Sequence, residues 1–368
     1  MTADLVANAS PRFAEARSVL DEAIAGHVFP GCAFGVWAEG RVQTIEARGR
    51  FTYDGNASAV APETIFDLAS VSKVVATTAA AMLLFQRGLL ELDLPVGELL
   101  PGFVIGRAPG SPARRVTLRH LLAHNSGLPG YVEFFRTERS PAQLLRACLA
   151  LEFEAEPAAR YEYSDPGFIL LGKALEVLLG EPLDRFVGRA IFAPLGMSAT
   201  GYCPAPQERE KIPPTEEDKN FRGRRIQGEV QDENAWVLGG VAGHAGVFSN
   251  VGDLLRFSAE ILEAVSPLGA PRVFHKATVE QFATRQGPEG SSRALGWDTP
   301  SAPSSSGSDF SPHSVGHLGY SGCSLWIDLD AAISVVLLTN RTWPDRSTQQ
   351  IKDLRPAFHN AVRRALPR

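Results

Sequence analysis

Apolar positions along the chain change period several times, and the changes mark out its elements. Residues 11–25 carry apolar side chains at helical spacing up to Gly26, with Ser10 and Pro11 placed as N-cap and first helical residue. Two strand-like runs, 32–37 and 42–45, flank Glu39-Gly40 and predict a hairpin. Residues 65–69 read as a short buried strand. The run from Ser70 through Thr77, Ala81 and Leu84 to Gly88 reads as an apolar helix closed by a glycine. From about 92 to 239 the pattern is mostly helical, interrupted at Pro101-Gly102, Pro109-Gly110-Ser111-Pro112, Pro129-Gly130 and Pro213-Pro214. A helix over about 253–264 follows. Strand-like runs then fall around 295–297, 315–320, 325–329 and 333–339, before a C-terminal helix over about 345–365.

Strands at both ends of the chain must share one sheet, with the helical stretch inserted between them. The expected class is α/β: an antiparallel sheet flanked by helices, formed by 1–92 with 240–368, and a mostly helical inserted domain over 93–239. The helix beginning at Ser70 would lie at the seam, where clefts form. The serine-rich stretch 301–308 is expected as a mobile surface loop, with a lid as the alternative.

Composition narrows the classes. The chain has 368 residues, 44% hydrophobic and 21% charged, enough for a large core in an ordinary soluble protein. A net charge of −5 gives no reason to expect nucleic acid or an anionic membrane as partner. Met1 to Leu5 lack a basic segment, no apolar run precedes Ser10, and no stretch approaches transmembrane length. Cys32, Cys148, Cys203 and Cys323 are far apart, without C-x-x-C spacing, and are expected as free buried thiols. A cytoplasmic location follows as the expectation. Nothing in the pattern fixes the oligomeric state.

The chemistry centres on Ser70-Val71-Ser72-Lys73. On a helix Ser70 and Lys73 are i and i+3 on one face, with the hydroxyl at the positive end of the helix dipole. Such a place favours the alkoxide and disfavours a charged lysine, which can then act as a base. A serine N-cap would account for Ser70 alone. Two more segments add weight: Tyr161-Glu162-Tyr163-Ser164-Asp165-Pro166-Gly167-Phe168 before an apolar helical run, and His317-Leu318-Gly319-Tyr320-Ser321-Gly322 before a strand.

In this order, S-x-x-K, Y-S-[ND], H-x-G, the chain resembles the serine β-lactamase and penicillin-binding-protein superfamily, closest to class C β-lactamases and their esterase and peptidase relatives. The resemblance runs from about residue 29 to 343, with further landmarks at 116–129 and 191–197. It implies a β-lactamase/transpeptidase-like fold and a cofactor-free, metal-free serine hydrolase forming an acyl-enzyme on Ser70. Lys73 would be proton acceptor or relay, and Tyr163 would bond Ser70 and pass the proton to the leaving group. A phenol titrates near pH 10, so Tyr163 needs Lys73 beside it to serve as a base; which of the two takes the proton stays open, and their titrations should be coupled. Tyr161 is the alternative tyrosine, but Ser-Asp-Pro-Gly follows Tyr163 as the family pattern requires. The oxyanion hole would be the N–H groups of Ser70 and Tyr320, with Gly319 letting substrate lie against the strand.

Two departures bear on specificity. Asp165 stands where the family has asparagine, and His317 where lactamases have lysine. An added anion and a lost cation should weaken binding of carboxylates, disfavouring an efficient β-lactamase or DD-peptidase; lowering the pH to about 6 should partly reverse this by protonating His317. A glycine-dense block from Gly228 to Ser249, containing Glu229, Asp232, Asn234 and His244, resembles a branch that includes exo-acting N-acetylmuramoyl-L-alanine amidases. It reads either as a substrate-binding wall that includes His244 or as a structural loop. A metal held by His244, Asp232 and Glu229 would match no standard ligand spacing. The expected substrates are amide-linked peptidoglycan fragments, muropeptides among them. Small acyl esters are the runner-up, followed by weak β-lactamase or DD-peptidase action and a penicillin-binding sensor that stays acylated.

Overall fold

The computed structural model describes residues 11–367, so the expectations on Met1 to Leu5 and on Ser10 as N-cap lie outside the described residues. The strands in chain order are β1 (Gly31–Ala38), β2 (Arg41–Gly49), β3 (Phe66–Asp67), β4 (Gly201–Tyr202) and β5 (Glu216–Asp218). They continue as β6 (Arg224–Ile226), β7 (Val247–Ser249), β8 (Ser314–Leu318), β9 (Ser324–Asp328) and β10 (Ile333–Thr339). Five of them form one antiparallel sheet in the order β2-β1-β10-β9-β8. The two ends of the chain thus share a sheet, as expected. β3, β7 and β4 make a small second sheet beside it.

Helices cover both faces of the main sheet. On one face the helix Ala14–Ala25 and the C-terminal helix Ile351–Arg364 bring Leu20, Phe358 and Val362 against Phe34, Val335 and Leu337. On the other the helix Val251–Val265 brings Leu254, Leu255 and Phe257 against Ala33, Val336 and Leu338. This explains why β10 is apolar almost throughout: all seven of its residues are buried, and strands covered on both sides lose the polar alternation of a half-exposed sheet. Each Val or Leu so enclosed contributes about 1.5–3 kcal/mol. The β1–β2 turn uses positive φ at Glu39 (55°) and Gly40 (69°), the turn geometry that matches strand twist. The larger apolar cluster is continuous, extending from the sheet through the helices Leu118–Leu122 and Asp165–Leu179.

Three expectations change. Residues 295–297 are not a strand: Leu295 and Trp297 are buried, but the Leu295 and Gly296 N–H groups bond to the Phe282 and Leu122 carbonyls rather than to a neighbouring strand. The serine-rich stretch is not wholly at the surface, because Ser306 is buried and the Ser308 N–H donates to Asn360 on the C-terminal helix at 2.8 Å. Finally, the helical stretch Ala69–Gln86 is long and apolar enough to cross a membrane, with mean hydropathy 1.3, but 83% of it is buried inside the protein. It is a core helix.

Candidate active site

The turn into the Ser70 helix is sharp. Ala69 takes φ 46°, a left-handed conformation that residues with a side chain adopt rarely, and the Asp67 carboxylate holds it there by accepting the Ala69 N–H at 2.8 Å. The other Asp67 oxygen accepts the Gln231 N–H at 2.7 Å, and burial pushes its pKa up to about 6. The expected single helix is present but irregular: a 3₁₀ turn at Ala69–Val71, a π turn at Lys73–Thr78, then α-helix over Ala79–Gln86. A widened turn of this kind commonly marks a functional position in a helix.

Lys73 is fully buried, and its three N–H bonds have three acceptors: Ser70 Oγ at 3.0 Å, Asp165 Oδ1 at 2.7 Å and the His244 carbonyl at 3.1 Å. That is the complement of an ammonium. Burial opposes the charge, but Asp165 and Tyr163 outweigh it and raise the lysine pKa. The expectation that Asp165 loads the cleft with an unbalanced negative charge is therefore corrected, since its charge is paired with Lys73. The Tyr163 hydroxyl lies beside Lys73 and Ser70, and Lys73 Nζ is 4.8 Å from the centre of its ring. Burial raises the phenol's pKa despite the neighbouring ammonium. Tyr161 is turned away and accepts from Arg293 Nε at 3.2 Å.

Tyr163 is placed by the start of the helix Asp165–Leu179. Ser164 caps that helix by accepting the Gly167 N–H, and its own N–H donates to His124 Nδ1 at 3.0 Å. The His124 ring packs on Tyr163 and Phe168 with centroids 4.6 and 4.9 Å apart, and burial holds its pKa well below the usual value, so it is neutral. His124 stands in the 116–129 landmark, but nothing in the sequence assigned it this contact.

Beyond Tyr163 the end of β8 closes a cleft of about 340 Å³ lined by Ser70, Tyr163, Arg293, His317, Tyr320 and Arg341, among others. His317 is buried, with Nδ1 2.8 Å from the Leu318 carbonyl; burial, reinforced by Arg293 and Lys73, holds its pKa well below 6.5. This direction works against the expected recovery of a cation there as the pH falls. A side chain on Gly319 would collide with the Leu68 carbonyl, so this glycine lets β8 approach the Ser70 turn rather than the substrate. Tyr320 is half exposed, with Arg341 4.4 Å from its ring centre. Arg293 lies 5.1 Å from the Tyr163 ring, and Lys352 and Arg355 complete the wall. None of these four cations was picked out from the sequence, because none sits in a motif.

The glycine-dense block serves the helix more than the cleft. Its segment 243–247 lies along the Ser70 helix: the Val247 N–H donates to Ser72, Lys73 donates to the His244 carbonyl, and Thr77 donates to the Gly243 carbonyl at 2.7 Å. A side chain on Gly243 would strike the Phe168 carbonyl and Gly172, which explains the glycine. His244 therefore meets the site through its backbone. Its ring is buried with Nε2 2.9 Å from Asp232, whose pKa falls to about 2 as the facing imidazole and a backbone N–H outweigh its burial. Glu229 is taken up by Arg209, Arg224 and Trp236, and no metal-binding group of side chains occurs among the described residues.

Comparison with known proteins agrees with this geometry. A family described as Beta-lactamase matches residues 16–356. An Escherichia coli protein named "Putative D-alanyl-D-alanine carboxypeptidase" is 31% identical over 304 residues, covering 76% of this chain and 69% of its own length. Among solved structures EstCE1, a hydrolase with promiscuous acyltransferase activity, superposes with TM-score 0.76 at 23% identity, over 95% of this chain and 98% of its own. A class C beta-lactamase from Rhodobacter sphaeroides gives TM-score 0.70 at 21% identity, over 94% and 97%. These two likenesses establish the fold. The chain belongs to the serine β-lactamase and penicillin-binding-protein superfamily and is a serine hydrolase.

Proposed function

We propose that the protein hydrolyses peptide-like cell-wall fragments that end in a carboxylate, through an acyl-Ser70 intermediate. The observation that carries this reading is the cationic wall of the cleft. Arg341 and Arg355 donate only to backbone carbonyls, and neither forms an ion pair with a carboxylate among the described residues. With Lys352 beside them, and Arg293 only 3.6 Å from Asp298, the wall retains net positive charge facing Ser70. The expectation from His317 was the reverse; the charge missing at that position is supplied from other elements. The Escherichia coli relative's name supports the same substrate class.

Once the Lys73–Tyr163 pair has released one proton to solvent, Ser70 attacks the carbonyl and the pair accepts the serine's proton. Tyr163 then returns the proton to the leaving amine. The N–H groups of Ser70 and Tyr320 hold the oxyanion, where each donor is worth about two to three orders of magnitude in rate. Asp165 sets how tightly the pair holds its proton. A charge-assisted contact to the substrate carboxylate contributes about 1.5–3 kcal/mol, or roughly one to two decades in kcat/KM.

The test is a panel of a D-Ala-D-Ala-terminated peptide, the same peptide as its C-terminal amide, and p-nitrophenyl acetate. The acid should exceed the amide by at least about tenfold in kcat/KM. Equal values for acid and amide, with the ester far faster, would refute the carboxylate reading and leave a small-ester esterase. A single stoichiometric burst without turnover would make the protein a sensor.

A further inference from the structure

Arg355 is buried on the inner side of the C-terminal helix, with 6% of its surface exposed. Its Nη2 donates to the Gly319 carbonyl at 2.6 Å and the Cys323 carbonyl at 2.8 Å, and its Nε to the Gly322 carbonyl at 3.3 Å. Desolvation pulls its pKa down to about 10. A guanidinium held out of water without a carboxylate is costly, and it persists only where the surrounding structure or the chemistry needs it.

What it holds is the peptide bond between Gly319 and Tyr320. In a trans peptide the carbonyl and the N–H point in opposite directions within one rigid plane. With the Gly319 carbonyl drawn towards Arg355, the Tyr320 N–H points away from the guanidinium, and Gly319 and Tyr320 line the same cleft as Ser70. Among the described residues that N–H has no hydrogen-bond acceptor. The positive charge on the carbonyl side also polarises the amide and strengthens its N–H as a donor.

We infer that Arg355 is a positioning residue that orients and polarises the Tyr320 N–H for the developing oxyanion. The inference rests on the reading that the N–H groups of Ser70 and Tyr320 form the oxyanion hole. It accounts for a buried cation at the edge of the cleft that donates only to backbone carbonyls.

The test compares a p-nitrophenyl ester with its thionoester, whose C=S sulfur is a poor hydrogen-bond acceptor. In Arg355→Met kcat on the ester should fall about 10- to 100-fold with KM nearly unchanged, less than removal of a donor itself would cost at the upper end. The thionoester should lose much less, so the oxygen-over-sulfur preference should shrink by about tenfold. Arg355→Lys should restore part of the preference, and melting curves establish that both variants are folded. A folded variant whose two rates fall by the same factor, or do not fall, overturns the inference while leaving the oxyanion reading intact. A wild type with no preference for oxygen overturns the oxyanion reading itself and the inference with it.

Discussion

Replacing Asp165 by asparagine isolates the group that sets the site's proton affinity. In the resting enzyme the proton sits on Lys73, held 2.7 Å from the Asp165 carboxylate, with Lys73 fully buried and Asp165 partly so. Attack by Ser70 requires the Lys73–Tyr163 pair to give up one proton, so kcat/KM should rise with pH along a limb that belongs to the pair. The carboxylate raises the pKa of both members, so the sign of its removal is the same whichever loses the proton. A charge-assisted hydrogen bond in this setting is worth about 1.5–3 kcal/mol. On the rising limb that free energy corresponds to about a 10- to 100-fold increase in the deprotonated pair at fixed pH. Asp165→Asn should therefore shift the rising limb towards lower pH and gain activity below the plateau. Asparagine keeps an acceptor oxygen for Lys73, so the ground-state geometry should survive. The assay is a pH–rate profile on a neutral p-nitrophenyl ester, with thermal melts at each pH. A limb that stays in place, or moves to higher pH, in a folded variant would refute the reasoning.

Ser70→Ala should abolish both turnover and the mass adduct of a fluorophosphonate, and an adduct that persists would remove Ser70 as nucleophile. Of the four cysteines expected as free buried thiols, Cys203 is instead exposed, so a thiol reagent should label one site in the folded protein and four after denaturation without reductant. Recovery with cytosolic markers should accompany that count if the expected compartment is right; two missing thiols would contradict it. Gly243→Ala should cost about 1–3 kcal/mol by overpacking against Phe168 and should lower activity by displacing the carbonyls that hold Lys73 and Thr77; an unchanged melting temperature would show that the segment gives way easily.

The motif-bearing residues were legible because their meaning is local. Ser70 and Lys73 are one helical turn apart, and a helix alone brings them to 3.0 Å. The sheet was legible from apolar runs at the two ends of the chain, whereas 295–297 misled because burial without alternation does not distinguish a strand from a packed turn. Charge was the weak point. Asp165 and Lys73 are 92 positions apart, and no spacing rule reveals that they neutralise each other. Arg293 comes from an irregular loop and Arg355 from an amphipathic helix on which an arginine reads as solvated. The density of glycine from 239 to 246 signalled close approach correctly, but only the structure shows that the neighbour crowding Gly243 is the helix Asp165–Leu179.

The bonds that tie Lys73 and its helix to the 243–247 segment span 166 to 175 positions of sequence, and Ser321 reaches back 254 positions to the Asp67 carbonyl just ahead of Ser70. During synthesis from the N-terminus Ser70 and Lys73 emerge before their anchoring segment near residue 250 and before Tyr320, which lines the same cleft. A nascent chain that has not reached these segments would thus carry Ser70 and Lys73 without the contacts that hold them. Long-range closure of this kind slows folding, since distant contacts must form before they stabilise anything. It also means that the arrangement around Ser70 is assembled only once β8 and Tyr320 have been made.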